Sequence, residues 1–180
     1  FIAASDQEVD WWFMWAPIIY GWIPVDRERV APSTIKLAIQ ALKKGEVLGI
    51  FPDGGGLEDV LGDAKNGAVY LSTIGKAPIV PMAIYGAETA WEDLFKGIRP
   101  RVWINIGKPF GPISIKGNKT EKDKKLKEIG HQLMCRISSL LPKNRRGKYT
   151  NDPKVESFQR ENKIDPVEHR FYKPAEKNGS

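Results

Sequence analysis

The sequence predicts an α/β fold, a mixed sheet covered by helices, and three observations lead there. Apolar residues recur with helical period at Ile35, Ala38, Ile39 and Leu42, and again at Leu126, Ile129, Leu133, Ile137 and Leu140. Short apolar runs bounded by Gly and Pro, EVLGIF and APIVPMAIYG, read as buried strands. The two kinds of segment alternate along a chain of 180 residues, 41% hydrophobic and with six Trp, which is enough to build a core.

Taken in order, residues 1–4 read as the end of a strand. An acidic, polar stretch then leads into the aromatic run WWFMWAPIIYGWI. The stripe from Ile35 to Leu42 predicts a helix that ends in Lys43, Lys44 and Gly45. Residues 46–51 form a strand that enters a loop at Pro52. A second helix is expected over residues 65–74, stopped by Gly75, followed by a strand with Pro81 at a bend and another over residues 101–106. Thr120 with Asp123 three residues later resembles a capping box opening the last helix, which Pro142 ends. Residues 1–149 are thus expected to form one domain. Residues 150–180, rich in Pro, Asn and charge, read as a polar, poorly ordered tail.

The net charge of +6 suits an anionic partner: nucleic acid, a phosphate-bearing substrate or an anionic membrane surface. Residues 150–180 hold six Lys/Arg and six Asp/Glu, so the excess lies on the body. A nucleic-acid partner is not expected, because the Trp cluster is flanked by Glu8 and Asp10 rather than by basic residues. The single cysteine, Cys135, rules out an internal disulfide and a cysteine-based zinc cluster. No metal site is read from the sequence. The longest apolar run, residues 11–23, has 13 residues, too few for the roughly 20 that span a bilayer.

The loop FPDGGGLED follows a predicted strand, where ligand sites of α/β folds concentrate. Its glycines let backbone N–H groups approach a ligand, and Asp53 can accept hydrogen bonds from a hydroxyl or hold a basic side chain. The same string also fits a wide turn in which Asp53 caps backbone amides. It is not a P-loop: Gly56 and Gly62 are one residue too far apart, and Asp63 stands where Lys is needed. In GWIPVDRE, Arg27 could grip a phosphate in a bidentate manner or serve as a surface ion pair.

The order of GWIPVDRE, then FPDGGG about 24 residues on, then KNGAVYLSTIGKAPIVPMAIYG resembles the phospholipid and glycerol-phosphate acyltransferases. Gly21, Ile23 and Arg27 match the family's G-x-I-x-x-x-R-like block. Phe51, Pro52, Asp53 and Gly54 match its F-P-E-G-x-R block, and Val80 and Pro81 its V-P-x-x-I-like block. The resemblance extends through the last helix to about Tyr149. It implies a glycerol-phosphate acyltransferase-like fold whose amino-terminal part is missing. It also implies that Arg27, Asp53, Gly54 and Gly55 bind the glycerol or phosphate end of an acceptor, with Lys65 as a further basic residue, and that Val80 and Pro81 shape the acyl-donor site. Two positions depart from the pattern: Asp53 replaces the commoner Glu, and Gly56 stands where many relatives carry a phosphate-contacting Arg.

The implied reaction is O-acyl transfer from acyl-CoA or acyl carrier protein to a hydroxyl of a lysophospholipid or related glycerolipid, with no cofactor. Its base would be the His of a His-x4-Asp motif. Neither histidine has that spacing, since Arg136 follows His131 and Pro174 follows His169 at the required position. The motif is expected upstream of Phe1, so this chain would hold no catalytic residue and be inactive by itself. His131, His169 and Cys135 read as ordinary structural or solvated residues. The aromatic run and the Lys-rich KGNKTEKDKKLK and KNRRGK segments read either as ordinary core and solvated faces or as membrane contacts. The expected place is cytoplasmic, peripheral at the inner membrane surface. A non-catalytic acyl-CoA- or lipid-binding protein is the alternative.

Overall fold

The computed structural model describes residues 2–4, 23–25, 31–54, 60–88 and 90–166. Helices and strands are mixed, and the chain divides into two compact units interleaved in sequence. The first unit takes residues 1–55, 65–79 and 110–130, and the second residues 56–64, 80–109 and 131–180. Among the described residues the strands form two separate two-stranded sheets, one parallel and one antiparallel.

In the first unit β1 (Ile2–Ala4) pairs in parallel with β2 (Ile23–Val25), Ile2 opposite Ile23. Helix α1 (Pro32–Lys43) starts with Pro at its first position, where no N–H is needed, and buries Thr34 and Ala38. Gly45, at φ +80°, ends it: the Glu46 N–H reaches back to the Ala41 carbonyl at 3.1 Å, as in a Schellman motif. Helix α2 (Gly67–Gly75) packs on α1. Gly75 matters there for contact, because a Cβ on it would lie 2.6 Å from Leu42 Cδ1. The left-handed residue that ends α2 is the next one, Lys76. Residues 46–51 join no strand, contrary to the sequence expectation.

In the second unit β3 (Met82–Tyr85) pairs antiparallel with β4 (Trp103–Ile106), with the short α3 (Ala90–Phe95) in the connection. Ala83 and Tyr85 are buried, and Tyr85 stacks on its cross-strand partner Trp103 with ring centroids 6.4 Å apart. Asn105 donates to the Leu140 carbonyl at 2.8 Å, which ties this face to the end of the last long helix. The other face, Met82, Ile84, Ile104 and Ile106, is about half exposed.

Gly86 fixes the exit from β3. Its φ is +86°, and a Cβ would sit 2.5 Å from the Arg101 carbonyl oxygen, a backbone atom that cannot step aside. Left-handed strain of about 1–2 kcal/mol adds to that clash, so Gly86→Ala is expected to cost about 3 kcal/mol in denaturant unfolding. Gly97 also has positive φ, at +71°, but faces open space; Gly97→Ala should cost only the strain. Equal losses for the two variants would refute the close-approach account.

Helix α4 (Lys119–Ser138) is opened by Asn118, not Thr120. The Glu121 N–H donates to Asn118 Oδ1 at 2.9 Å, and the Asn118 N–H donates to Glu121 Oε2 at 3.0 Å. Its first half is exposed and Lys-rich, whereas Leu133, Met134, Cys135, Ile137 and Ser138 are buried. Two 3₁₀ turns, Lys143–Arg145 and Gly147–Tyr149, lead to α5 (Pro153–Asn162), where Val155 is fully buried. Helix α5 thus lies within residues 150–180.

Candidate functional site

The loop at Pro52 lies in the first unit and is closed by two backbone hydrogen bonds. The Gly54 N–H donates to the Phe51 carbonyl at 3.1 Å, and the Lys65 N–H donates to the Pro52 carbonyl at 2.7 Å. The second bond brings together residues thirteen apart in sequence and fixes the approach to α2 against the Phe51–Gly54 turn. Gly54 has φ +84°, a conformation that a side chain would strain.

The Lys65 side chain lies across this glycine. The place a Cβ would occupy on Gly54 is 2.7 Å from Lys65 Nζ and 2.8 Å from Cε. Glycine is thus required for its dihedral, while the exposed end of the lysine fills the room beside it. Lys65 is exposed while Asp53 and Gly54 are half-buried, so a cation and a carboxylate-bearing turn share one accessible spot. Beside them, the N-terminus of α2 has no side-chain cap and no acidic residue in its first turn. Such a helix end favours an anion through its N–H groups and dipole.

Of the residues singled out from the sequence, Asp53, Gly54 and Lys65 are brought together. Arg27 and Gly55 lie outside the described residues, as do Gly21 and Gly56; Arg27 follows the carboxyl end of β2 by two residues. Val80 and Pro81 belong to the second unit, where Val80 is exposed and the buried Pro81 accepts the Gly107 N–H at 2.9 Å. The aromatic run of residues 11–22 and His169 are likewise outside the described residues.

Two groupings in the second unit escaped sequence reasoning. Arg145 and Arg146 of KNRRGK are buried, not solvated: Arg145 pairs with Glu88, and Arg146 donates from Nε to the Leu141 carbonyl at 2.9 Å. They are not placed to meet lipid headgroups. His131, Cys135 and Asp152 also converge, with His131 Nε2 2.8 Å from Asp152 Oδ2 and 3.5 Å from Cys135 Sγ. Burial by itself would raise the Asp152 carboxyl, but the Lys154 backbone N–H and His131 outweigh it and hold it below its ordinary value. No helix among the described residues is long and apolar enough to cross a membrane.

Comparison with known proteins bears on the first of these sites. Residues 1–85 match the Acyltransferase family, a stretch that contains Arg27, the Phe51–Gly54 turn, Lys65 and Val80–Pro81. The chain is 46% identical over 88 residues to a 1-acyl-sn-glycerol-3-phosphate acyltransferase of Bacillus subtilis (strain 168), covering 48% of this chain and 42% of that protein. It is 29% identical over 143 residues to a protein of the same name from Streptococcus pneumoniae (strain ATCC BAA-255 / R6), covering 78% of this chain and 50% of that one. The chain spans about half the length of these curated relatives or less. No solved structure matches it. The segment that holds the Gly54–Lys65 site is thus the part of the chain that is similar to the acyltransferase family.

Proposed function

We propose that the protein transfers a fatty acyl group from acyl-CoA or acyl carrier protein to a hydroxyl of a lysophospholipid or related glycerolipid, on a glycerol-phosphate acyltransferase-like α/β scaffold. The observation that carries this reading is the Lys65 ammonium laid across Gly54 at the Phe51–Gly54 turn. A phosphate needs a cation and N–H donors, and a glycerol hydroxyl needs an acceptor. Lys65 and the uncapped start of α2 supply the first, and Asp53 the second. Lys65 thus stands in for the Arg that many relatives carry at the position of Gly56. The names of both relatives point to an acceptor of this chemistry.

In this scheme Arg27, Asp53, Gly54, Gly55 and Lys65 bind the acceptor, and Val80 and Pro81 shape the donor site. A His-x4-Asp histidine takes the acceptor hydroxyl proton as its oxygen attacks the thioester carbonyl, and the thiol leaves. Neither histidine of the chain has that spacing, so the chain alone is inactive. The acyl thioester is a co-substrate, and no cofactor takes part. The work is done at the cytoplasmic face of the membrane, where the exposed lysines of α4 contact anionic headgroups.

The test is acyl transfer by the full-length protein with a panel of lysolipids. Arg27→Ala is expected to weaken use of a phosphate-bearing acceptor about tenfold or more while leaving donor KM nearly unchanged, the loss of one charge-assisted contact. Unaltered acceptor kinetics would remove Arg27 from the site. The same spacing of the histidines also fits a non-catalytic acyl-CoA- or lipid-binding protein. Thioester binding without turnover by the full-length protein would favour that reading.

A further inference from the structure

We propose that His131, Cys135 and Asp152 form a binding site for a zinc-type divalent transition metal, which pins the buried half of α4 to the start of α5. His131 and Cys135 stand one turn apart on α4, so both project from the same face. Asp152 comes from another element as the N-cap of α5. His131 Nε2 lies 2.8 Å from Asp152 Oδ2 and 3.5 Å from Cys135 Sγ, and the three donor atoms all fall within 4.8 Å of one another. Zinc bonds of about 2.0–2.3 Å place tetrahedral ligands about 3.3–3.7 Å apart, so adjustments of about 1 Å would close the set.

The donor chemistry fits such an ion. Thiolate, imidazole and carboxylate are the sulfur, nitrogen and oxygen ligands zinc accepts, and the two anions balance its two charges. The carboxylate is already aimed: Asp152 Oδ1 accepts the Lys154 N–H at 2.9 Å, which leaves Oδ2 facing the cluster. His131 is 45% exposed in its side chain, so the fourth position is open to water. Without a cation, burial and then the Asp152 carboxylate push the Cys135 thiol up to about 12, so it stays protonated at neutral pH. On binding, the thiol proton leaves to solvent, so metal binding releases a proton from Cys135.

The sequence expectation of no metal site stood on the single cysteine, whereas the grouping needs only one. Cys135 is the chain's sole cysteine, which makes the test direct. Titrating the chain with Co²⁺ alone should produce a thiolate-to-cobalt charge-transfer band that saturates at one metal per chain and is bleached by Zn²⁺. Calorimetry in buffers of different ionisation enthalpy should show the released proton. Cys135→Ser should abolish the band. Because that residue is buried, two further variants keep the test open if Cys135→Ser does not fold. Asp152→Asn retains an equally good N-cap, and His131→Gln alters a half-exposed position; each should weaken Co²⁺ binding about tenfold or more. A chain that gives no band at millimolar Co²⁺, or variants that bind as the parent does, would leave only a hydrogen-bonded capping cluster and overturn the proposal.

Discussion

Replacing Lys65 by Met in the full-length protein is expected to raise the KM for a phosphate-bearing glycerolipid acceptor about tenfold and to leave the KM for the acyl thioester unchanged. The ammonium sits against Gly54, beside the uncapped N-terminus of α2. A hydrogen bond between charged groups contributes about 1.5–3 kcal/mol, and about 1.4 kcal/mol is a factor of ten. Lys65 is exposed, so solvent and salt hold the effect near the lower end. Lys65→Arg keeps the charge and should retain most of the affinity. An acceptor without phosphate should not distinguish Lys65→Met from the parent. If the variant handles the phosphate-bearing acceptor as the parent does, the lysine is only packing over a glycine.

Glu88→Ala is expected to produce the largest loss of stability among surface-charge substitutions, about 3 kcal/mol in chemical unfolding. Glu88 Oε1 accepts from Arg145 Nη1 and lies 3.3 Å from the Gly86 N–H, and the Arg145 side chain is only 7% exposed. Removing one partner of a buried pair costs about 3–5 kcal/mol, because the charge that stays behind is desolvated and loses that interaction. Glu88 is itself 31% exposed, which holds the figure to the lower bound. The comparison is Glu92→Ala, which removes the exposed Lys96–Glu92 pair on α3 and should change stability by about 0.5 kcal/mol or less. Similar losses for the two variants would show that Arg145 gains nothing from Glu88.

Much of the helical architecture was legible in the sequence, because each helix writes its own period and stops. The stripe of Ile35, Ala38, Ile39 and Leu42 marks α1, and Gly45 is its left-handed terminator. The stripe on α4 predicts a helix but not its depth: the same period runs through an exposed first half and a second half buried almost all round. Helix α5 was missed because its composition is polar, although Asp152 followed by Pro153 is the N-cap and first-position pair that opens a helix. Local signals also misassigned roles. Thr120 resembled a cap, but Asn118 with Glu121 makes the reciprocal bonds, and Gly75 resembled a left-handed stop but is there to admit Leu42.

By itself the sequence determined helices α1, α2 and α4, the turn at Pro52 and, through its ordered blocks, the likeness of residues 1–85 to the acyltransferase family, since these depend on residues near one another along the chain. Only the tertiary structure decided that Lys65 crosses Gly54, that Arg145 is buried against Glu88, and that Asp152 meets His131 and Cys135. In each case the partners are 11 to 57 residues apart. Charge, burial and ligand spacing become physical quantities only once folding sets the distances between them.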